Sequence, residues 1–266
     1  MGHDKLRKFA ENETFSCLLQ PDASAVLDKS GDPSLGLRLN DHPIKGQWNT
    51  KMFKNDQPIV LELGCGKGEY TIDLSKRVPG NNYIGVDIKG ARLWRGAKTA
   101  TEENLPNVAF LRTRIEFIDA FFGPGEVSEI WLTFSDPQLK SENSRLTSPL
   151  FLERYRKFLK PGGVIHLKTD SRFLHEYSKA VALENDLQIL AATTDLYEST
   201  GLSAALYEVQ TFYERMFLAQ GYKITYLEFA IDHEGPFKHP SDFDSDYWRS
   251  IEGPRRFSHS PASSQR

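Results

Sequence analysis

Residues 59–70 read IVLELGCGKGEY. A short, mostly apolar run ends in three alternate glycines, Gly64, Gly66 and Gly68, and a stretch of helix-forming residues follows. Near-continuous apolarity reads as a strand covered on both faces. The glycines read as a turn that needs positive φ or lets a ligand come close to the backbone. In open α/β sheets, ligands settle beyond the carboxyl ends of the strands, and the turn after the first strand is the favoured place. The spacing here is G-x-G-x-G. It fits neither the G-x-G-x-x-G of dinucleotide binders nor the G-x-x-x-x-G-K-[ST] phosphate cradle. Glu62 interrupts the apolar run, and a carboxylate buried there is costly without a partner.

Working outward, similar runs recur at 83–88 (YIGVDI), 108–113 (VAFLRT), 129–134 (EIWLTF), 164–169 (VIHLKT) and 223–230 (KITYLEFA). Helical stretches are predicted between them near 68–78, 90–104, 115–122, 148–159, 171–184 and 209–220, with Pro161-Gly162-Gly163 stopping the fourth. This alternation predicts βαβ units and a mostly parallel sheet with helices on both faces. Residues 1–55 lack periodicity and read as a partly irregular N-terminal arm with a short helix or two. Residues 231–266, rich in Pro, Ser and Asp, read as a C-terminal extension whose end is disordered.

The bulk numbers narrow the class. A chain of 266 residues, 39% hydrophobic, 12% aromatic and with a net charge of -3, is a foldable globular composition that does not by itself announce a nucleic-acid partner. Local charge does more. KGARLWRGAK (89–98) holds four basic residues and no acid, and KLRKF (5–9) lies near the N-terminus. Cys17 and Cys65 stand in no metal-ligand spacing, and no metal is expected. No apolar run approaches ~18 residues, and the first residues lack a signal-peptide core. A cytoplasmic protein without membrane contact is expected, as a monomer or homodimer. His166, inside VIHLKT, reads as a satisfied sheet histidine.

Asp87 closes the second strand, where a carboxylate can accept from both ribose hydroxyls of an adenosine. A tight turn plus a solvated acid is the plain alternative. Loop, Glu62 and Asp87 together favour a nucleoside-bearing cofactor. In sequence they form E-x-G-x-G-x-G with a strand-end acid, which resembles the S-adenosylmethionine-dependent methyltransferases. The resemblance covers about residues 58–230. It implies an α/β, Rossmann-like methyltransferase fold with a mostly parallel seven-stranded sheet, helices on both faces and a late antiparallel strand. The methyltransferase domain would span 56–230. S-adenosyl-L-methionine would be held by Glu62, Gly64, Gly66, Gly68 and Asp87, with Glu62 near its amino-acid portion.

The fourth run leads into FSDPQLK (134–140). Asp followed by Pro is an ordinary way to end a strand, so Asp136 alone reads as a turn. Its place at the edge beside the glycine loop makes an active-site role the competing reading. FSDPQLK, LKTD (167–170) and TFYE (211–214) with Gly221 behind them are, in that order, similar to the bacterial tRNA (guanine-N7-)-methyltransferase family. The similarity implies tRNA as partner and N7 of a variable-loop guanine as methyl acceptor. It places the catalytic acid, also a cofactor contact, on Asp136 and substrate contacts on Lys140, Asp170, Thr211 and Glu214. Arg114 stands where the family has Asp or Asn near the adenine; a guanidinium cannot accept a hydrogen bond, so its backbone is the expected contact.

Two departures stand out. Gln138 replaces the family's Trp, and SENSR replaces a basic tract, with Arg145 as its one clear remnant. Guanine N7 bears a lone pair and no proton, so transfer needs alignment and tolerance of growing positive charge, not a strict general base. Asp136 would orient the base or offset that charge. Glu214 would accept from guanine N1–H and N2–H, a pair adenine lacks. A small-molecule methyltransferase of the same fold, and an RNA-binding relative with weakened catalysis, are the alternative readings.

Overall fold

The computed structural model describes residues 2–28 and 38–252. Strand β1 (Leu18–Leu19) stands at one edge, followed across the sheet by β4 (Val108–Arg112), β3 (Asn82–Asp87), β2 (Ile59–Leu63), β5 (Val127–Thr133), β6 (Leu159–Thr169), β8 (Thr225–Ala230) and β7 (Ile189–Thr193). All pairings are parallel except β6–β8 and β7–β8. The sheet therefore has eight strands among the described residues, one more than expected, and the late antiparallel strand is β8. The strand order reverses at β2, which puts the glycine loop at the topological switch point.

All five residues of β2 are buried, as a strand covered on both faces requires. Its alternate side chains feed two layers. Ile59, Leu61 and Leu63 join Ile84, Val86, Ile130, Leu132, Ile165 and Leu167 in the main core. Val60 points the other way, to Tyr70, Tyr83, Trp131 and Tyr226. Glu62 shares that second parity.

Helices α1 (Gly2–Asn12), α2 (Glu69–Arg77), α3 (Gly90–Glu102), α4 (Pro149–Tyr155), α5 (Arg172–Glu184), α6 (Ala204–Glu208), α7 (Phe212–Ala219) and α8 (Ser245–Ile251) complete the chain. Several boundaries correct the sequence reading. The helix expected over 115–122 is a 3-10 stretch, Ile115–Ala120, which buries Phe117, Ile118 and Ala120 in too few residues for an α-helix to propagate. The helix over 148–159 stops at Tyr155, before the Pro-Gly-Gly. Pro161-Gly162-Gly163 instead lies inside β6 as a bulge: register passes from Val127↔Leu159 to Glu129↔Val164, and Gly162 takes φ +69°. The helix over 209–220 begins only at Phe212, where Thr211 Oγ1 caps it by accepting from Glu214 N at 3.1 Å.

The arm is bound tightly to the core. Its α1 reaches α3 through Asn12 Nδ2 to Gly90 O (3.0 Å) and Trp94 Nε1 to Glu11 Oε2 (2.6 Å). Trp48 is wholly buried, donates from Nε1 to Phe121 O at 2.9 Å and stacks on Phe122. The extension also packs as far as α8, with Phe243 edge-on to Phe173 and Tyr177. Its expected disordered end, from residue 253, lies outside the described residues.

Candidate active site

Gly64, Gly66 and Gly68 all adopt positive φ, +79°, +59° and +73°, a region where side-chain-bearing residues are strained. Gly68 is doubly constrained, since an added Cβ would lie 2.5 Å from the Phe110 ring. A Cβ at Gly64 or Gly66 would meet nothing within 4 Å, so these two are demanded by conformation and face open space. The loop is pinned to β3 by Gly64 N and Cys65 N, which donate to Val86 O at 2.8 and 3.0 Å.

Two cavities open on either side of Gly64. The larger, about 600 Å³, is lined by Asp87, Ile88, Thr113, Arg114, Ile115 and Gln138, among others. The smaller, about 100 Å³, is lined by Glu62, Gly66, Thr133, Phe134 and Thr211, among others. Asp87 is 7% exposed and accepts from Gly66 N (3.0 Å) and Lys89 N (2.7 Å), so its carboxylate is fixed at the cavity wall. Arg114 lines the larger cavity with its side chain turned to Glu116 at 3.2 Å.

Glu62 is 4% exposed and finds the partners its burial demands: Thr71 N at 2.9 Å, Thr71 Oγ1 at 2.5 Å and Thr133 Oγ1 at 2.5 Å. Burial still dominates and pushes its carboxyl up to about 7, against the lowering effect of Thr133 and Thr71. The folded state thus holds a proton that the unfolded chain releases near 4.5. Stability from this group is present at low pH and falls as pH rises between those values, by about 3 kcal/mol in all. Glu62→Gln is expected to remove that fall. Urea midpoints from pH 5 to 8 check it, and parallel profiles for the two proteins would refute it.

Beyond β5 the chain turns through two non-glycine residues at positive φ, Phe134 (+50°) and Gln138 (+48°). Strain of this kind, of order 1–3 kcal/mol each, persists only where the surroundings enforce it, and it clusters at functional sites. Asp136 sits between them, exposed, with Oδ1 accepting from Gln138 N at 2.9 Å. The expected turn is present. Since Phe134 lines the smaller cavity and Gln138 the larger, the ends of the turn touch both cavities, with exposed Asp136 between them. Buried Ser135 Oγ finds no hydrogen-bond partner among the described residues.

Glu62, the glycine loop, Asp87, Arg114, Thr211 and the Asp136 turn therefore share one edge of the sheet. Lys140 is exposed two residues beyond Gln138. Two expected substrate residues stand apart. Asp170 lines a separate pocket of about 220 Å³ with Arg172, Lys223 and Glu252. Glu214 is 0% exposed: its Oε1 takes Lys168 Nζ at 2.8 Å and Tyr197 OH at 2.7 Å, and its buried Oε2 has no partner among the described residues. In this arrangement it lies buried beneath Thr211 and paired with Lys168, so base reading by Glu214 requires α7 to expose its carboxylate.

Arg145, expected as a remnant of an RNA-contacting tract, is likewise buried. The reading also missed Thr71 and Thr133 under Glu62, exposed Ile88 at the cavity mouth and the Lys168 partner of Glu214. Lys168 carried a signal, a lone cation in an apolar strand. Burial lowers its pKa, with Glu214 opposing. His166 lies in the sheet as expected, with Nδ1 2.7 Å from Tyr226 OH and its ring stacked on Trp131, but it is only half satisfied: its buried Nε2 makes no hydrogen bond among the described residues and stands 3.3 Å from Glu129 Oε2. No helix among the described residues is long and apolar enough to cross a membrane.

Comparison with known proteins adds three findings. The family described as "Putative methyltransferase" matches residues 56–227. A tRNA (guanine-N(7)-)-methyltransferase of Bacteroides fragilis is 47% identical over 257 residues, covering 96% of this chain and 97% of the relative. Enzymes of the same name from Christiangramia forsetii (49% identical, 86% of this chain, 98% of the relative) and Listeria monocytogenes (36%, 73% and 89%) are also similar. Among solved structures, the 16S rRNA methyltransferase KamB superposes with a TM-score of 0.56 at 15% identity, covering 73% of this chain and 96% of that one. That likeness concerns the fold.

Proposed function

The chain belongs to the tRNA (guanine-N(7)-)-methyltransferase family, and we propose that it methylates N7 of a variable-loop guanine at the rim where the Asp136 turn faces the glycine loop. The supporting observation is that rim: one strained turn, Phe134 to Gln138, lines both cavities around Gly64. When bound, S-adenosylmethionine supplies a methyl carbon made electrophilic by its sulfonium. The residues present fit such a donor. Open space in front of Gly64 and Gly66, a fixed carboxylate at Asp87 and apolar Ile88 and Ile115 suit an adenosine, while Glu62 suits a cationic amino-acid portion.

We assign Glu62, Gly64, Gly66, Gly68, Asp87 and the backbone at Arg114 to holding the donor. Asp136 orients the acceptor base and faces the positive charge that grows on its ring, without removing a proton. Lys140 is placed to meet a phosphate, and Thr211 closes the smaller cavity. Exposed Lys89, Arg92 and Arg95 along α3 extend a basic surface from the same rim, which suits a nucleic-acid backbone despite the net charge of -3. Arg7 and Lys8 contribute less, because both are paired with Asp4. Residues 56–230 form the methyltransferase domain in this reading, braced by the arm and the extension. A tRNA acceptor and two free cysteines suit the cytoplasm.

Identity of this extent to named tRNA enzymes favours tRNA over a small-molecule acceptor. Incubation with labelled donor and unmodified tRNA, followed by borohydride and aniline, should cleave the tRNA at one variable-loop position. Intact donor binding with no label entering any tRNA would overturn the proposal.

A further inference from the structure

The turn that carries Asp136 and Lys140 is held from behind by two guanidinium groups. Arg145 is 2% exposed, and its guanidinium carbon lies 4.2 Å from the Tyr177 ring centre and 4.7 Å from that of Phe173. It donates from Nε to Gln138 O at 3.3 Å and from Nη2 to Leu139 O at 3.5 Å. Arg249, on α8, donates to the same Leu139 O from Nε at 3.3 Å and Nη2 at 3.1 Å. Two cations on one carbonyl repel each other. Among the described residues, acids at the margin offset them, with Glu142 at 3.5 Å from Arg145 and Asp246 at 2.7 Å from Arg249. Such convergence is expensive, and it falls next to Gln138, a residue at φ +48°.

The second guanidinium is itself delivered by a fixed strap. Phe173 and Tyr177, which cradle Arg145, also receive Phe243 at 5.4 Å each, just before α8. After α8, Glu252 Oε2 accepts from Phe173 N at 2.9 Å. One aromatic pair therefore organises both clamps.

We propose that Arg145 and Arg249 are positioning residues for methyl transfer, clamping the carbonyls of Gln138 and Leu139 so that Asp136 and Lys140 stand fixed at the rim, with α8 as the strap that supplies the second clamp. This rests on the active-site reading of Asp136. The inward turn of Arg145 also accounts for the short basic tract: its charge serves the loop and not the RNA. The C-terminal extension thereby acts on chemistry more than a hundred residues away, the Arg249–Leu139 separation being 110.

Arg249 is the sharper test, because its side chain is 39% exposed and its removal opens no core. In the full chain, Arg249→Ala should lower kcat about tenfold, the scale of a lost charge-assisted hydrogen bond. KM for tRNA and donor affinity should stay within about twofold, as befits a group that touches neither. Amide hydrogen exchange over 135–141 should quicken while β2 and β5 keep their protection. Added guanidinium should restore part of the rate, and Arg145→Lys should show the same split. Unchanged kcat and exchange in Arg249→Ala, alongside an inactive Asp136→Ala, overturn the clamp and leave Asp136 in place. A raised tRNA KM at intact kcat also overturns it, making Arg249 a phosphate contact. An active Asp136→Ala removes instead the reading on which the clamp rests.

Discussion

Replacing Asp136 with alanine is expected to lower kcat for tRNA methylation by about 10²–10³-fold, the scale for losing one preorganised electrostatic group. Guanine N7 has no proton to give up, so the loss reflects charge and orientation. The ring gains positive charge as the methyl arrives, and a fixed carboxylate beside it opposes that charge. The turn itself depends on the same side chain, because Oδ1 accepts from Gln138 N at 2.9 Å. Asp136→Asn separates the two contributions. An amide oxygen can keep the turn while the charge is lost, so activity close to the alanine variant is expected. Near-normal kcat in Asp136→Ala would refute the role.

The second large effect concerns stability. Glu214→Ala strips the carboxylate from Lys168, and both side chains are 0% exposed. Removing one partner of a buried pair typically costs about 3–5 kcal/mol, because the remaining charge is left uncompensated. Lys168 keeps further acceptors in Leu206 O (2.7 Å) and Val209 O (3.0 Å), which soften the loss but carry no net charge. Burial already lowers the Lys168 pKa, and without Glu214 it should fall further. The folded variant then binds fewer protons than the unfolded chain, whose lysine titrates near ~10.4, so its stability rises with pH up to that value. Urea unfolding at pH 7 and 9 measures both the drop and the slope. A double replacement, Lys168→Met with Glu214→Leu, should recover most of the loss. A drop below about 1 kcal/mol in the single variant, with no pH slope, would show the pair to be incidental.

Much of the site was legible because its determinants are local. Positive φ at Gly64, Gly66 and Gly68 is a property of one turn, and only glycine takes it freely. Asp87 and Asp136 could be placed because apolar runs ended beside them, and a strand's end is visible in its own residues. The turn at Asp136 was read correctly as a turn; that its ends touch two cavities was visible only in three dimensions.

The missed elements have one cause. Strand β1 is two residues long and exists because Cys17 O accepts from Phe110 N at 2.7 Å, a partner far along the sequence. Strand β7 is half-exposed, so its pattern is faint. Pro161-Gly162-Gly163 signals a break in any context, and only pairing with β5 decides that the break is a bulge and not a helix end.

By itself, then, the order of residues determined the α/β class, the glycine loop at the switch point and the strand-end acids, since each follows from backbone freedom and burial within a few neighbours. Tertiary structure decided the partners of the charged groups. Glu62 found Thr71 and Thr133, Lys168 found Glu214, and Arg145 turned inward to meet Arg249 at Leu139 O. A charge in a sequence reads equally as a solvated face, a ligand contact or a buried brace. The choice rests on which distant segment arrives to replace its water, and only the folded chain brings that segment into place.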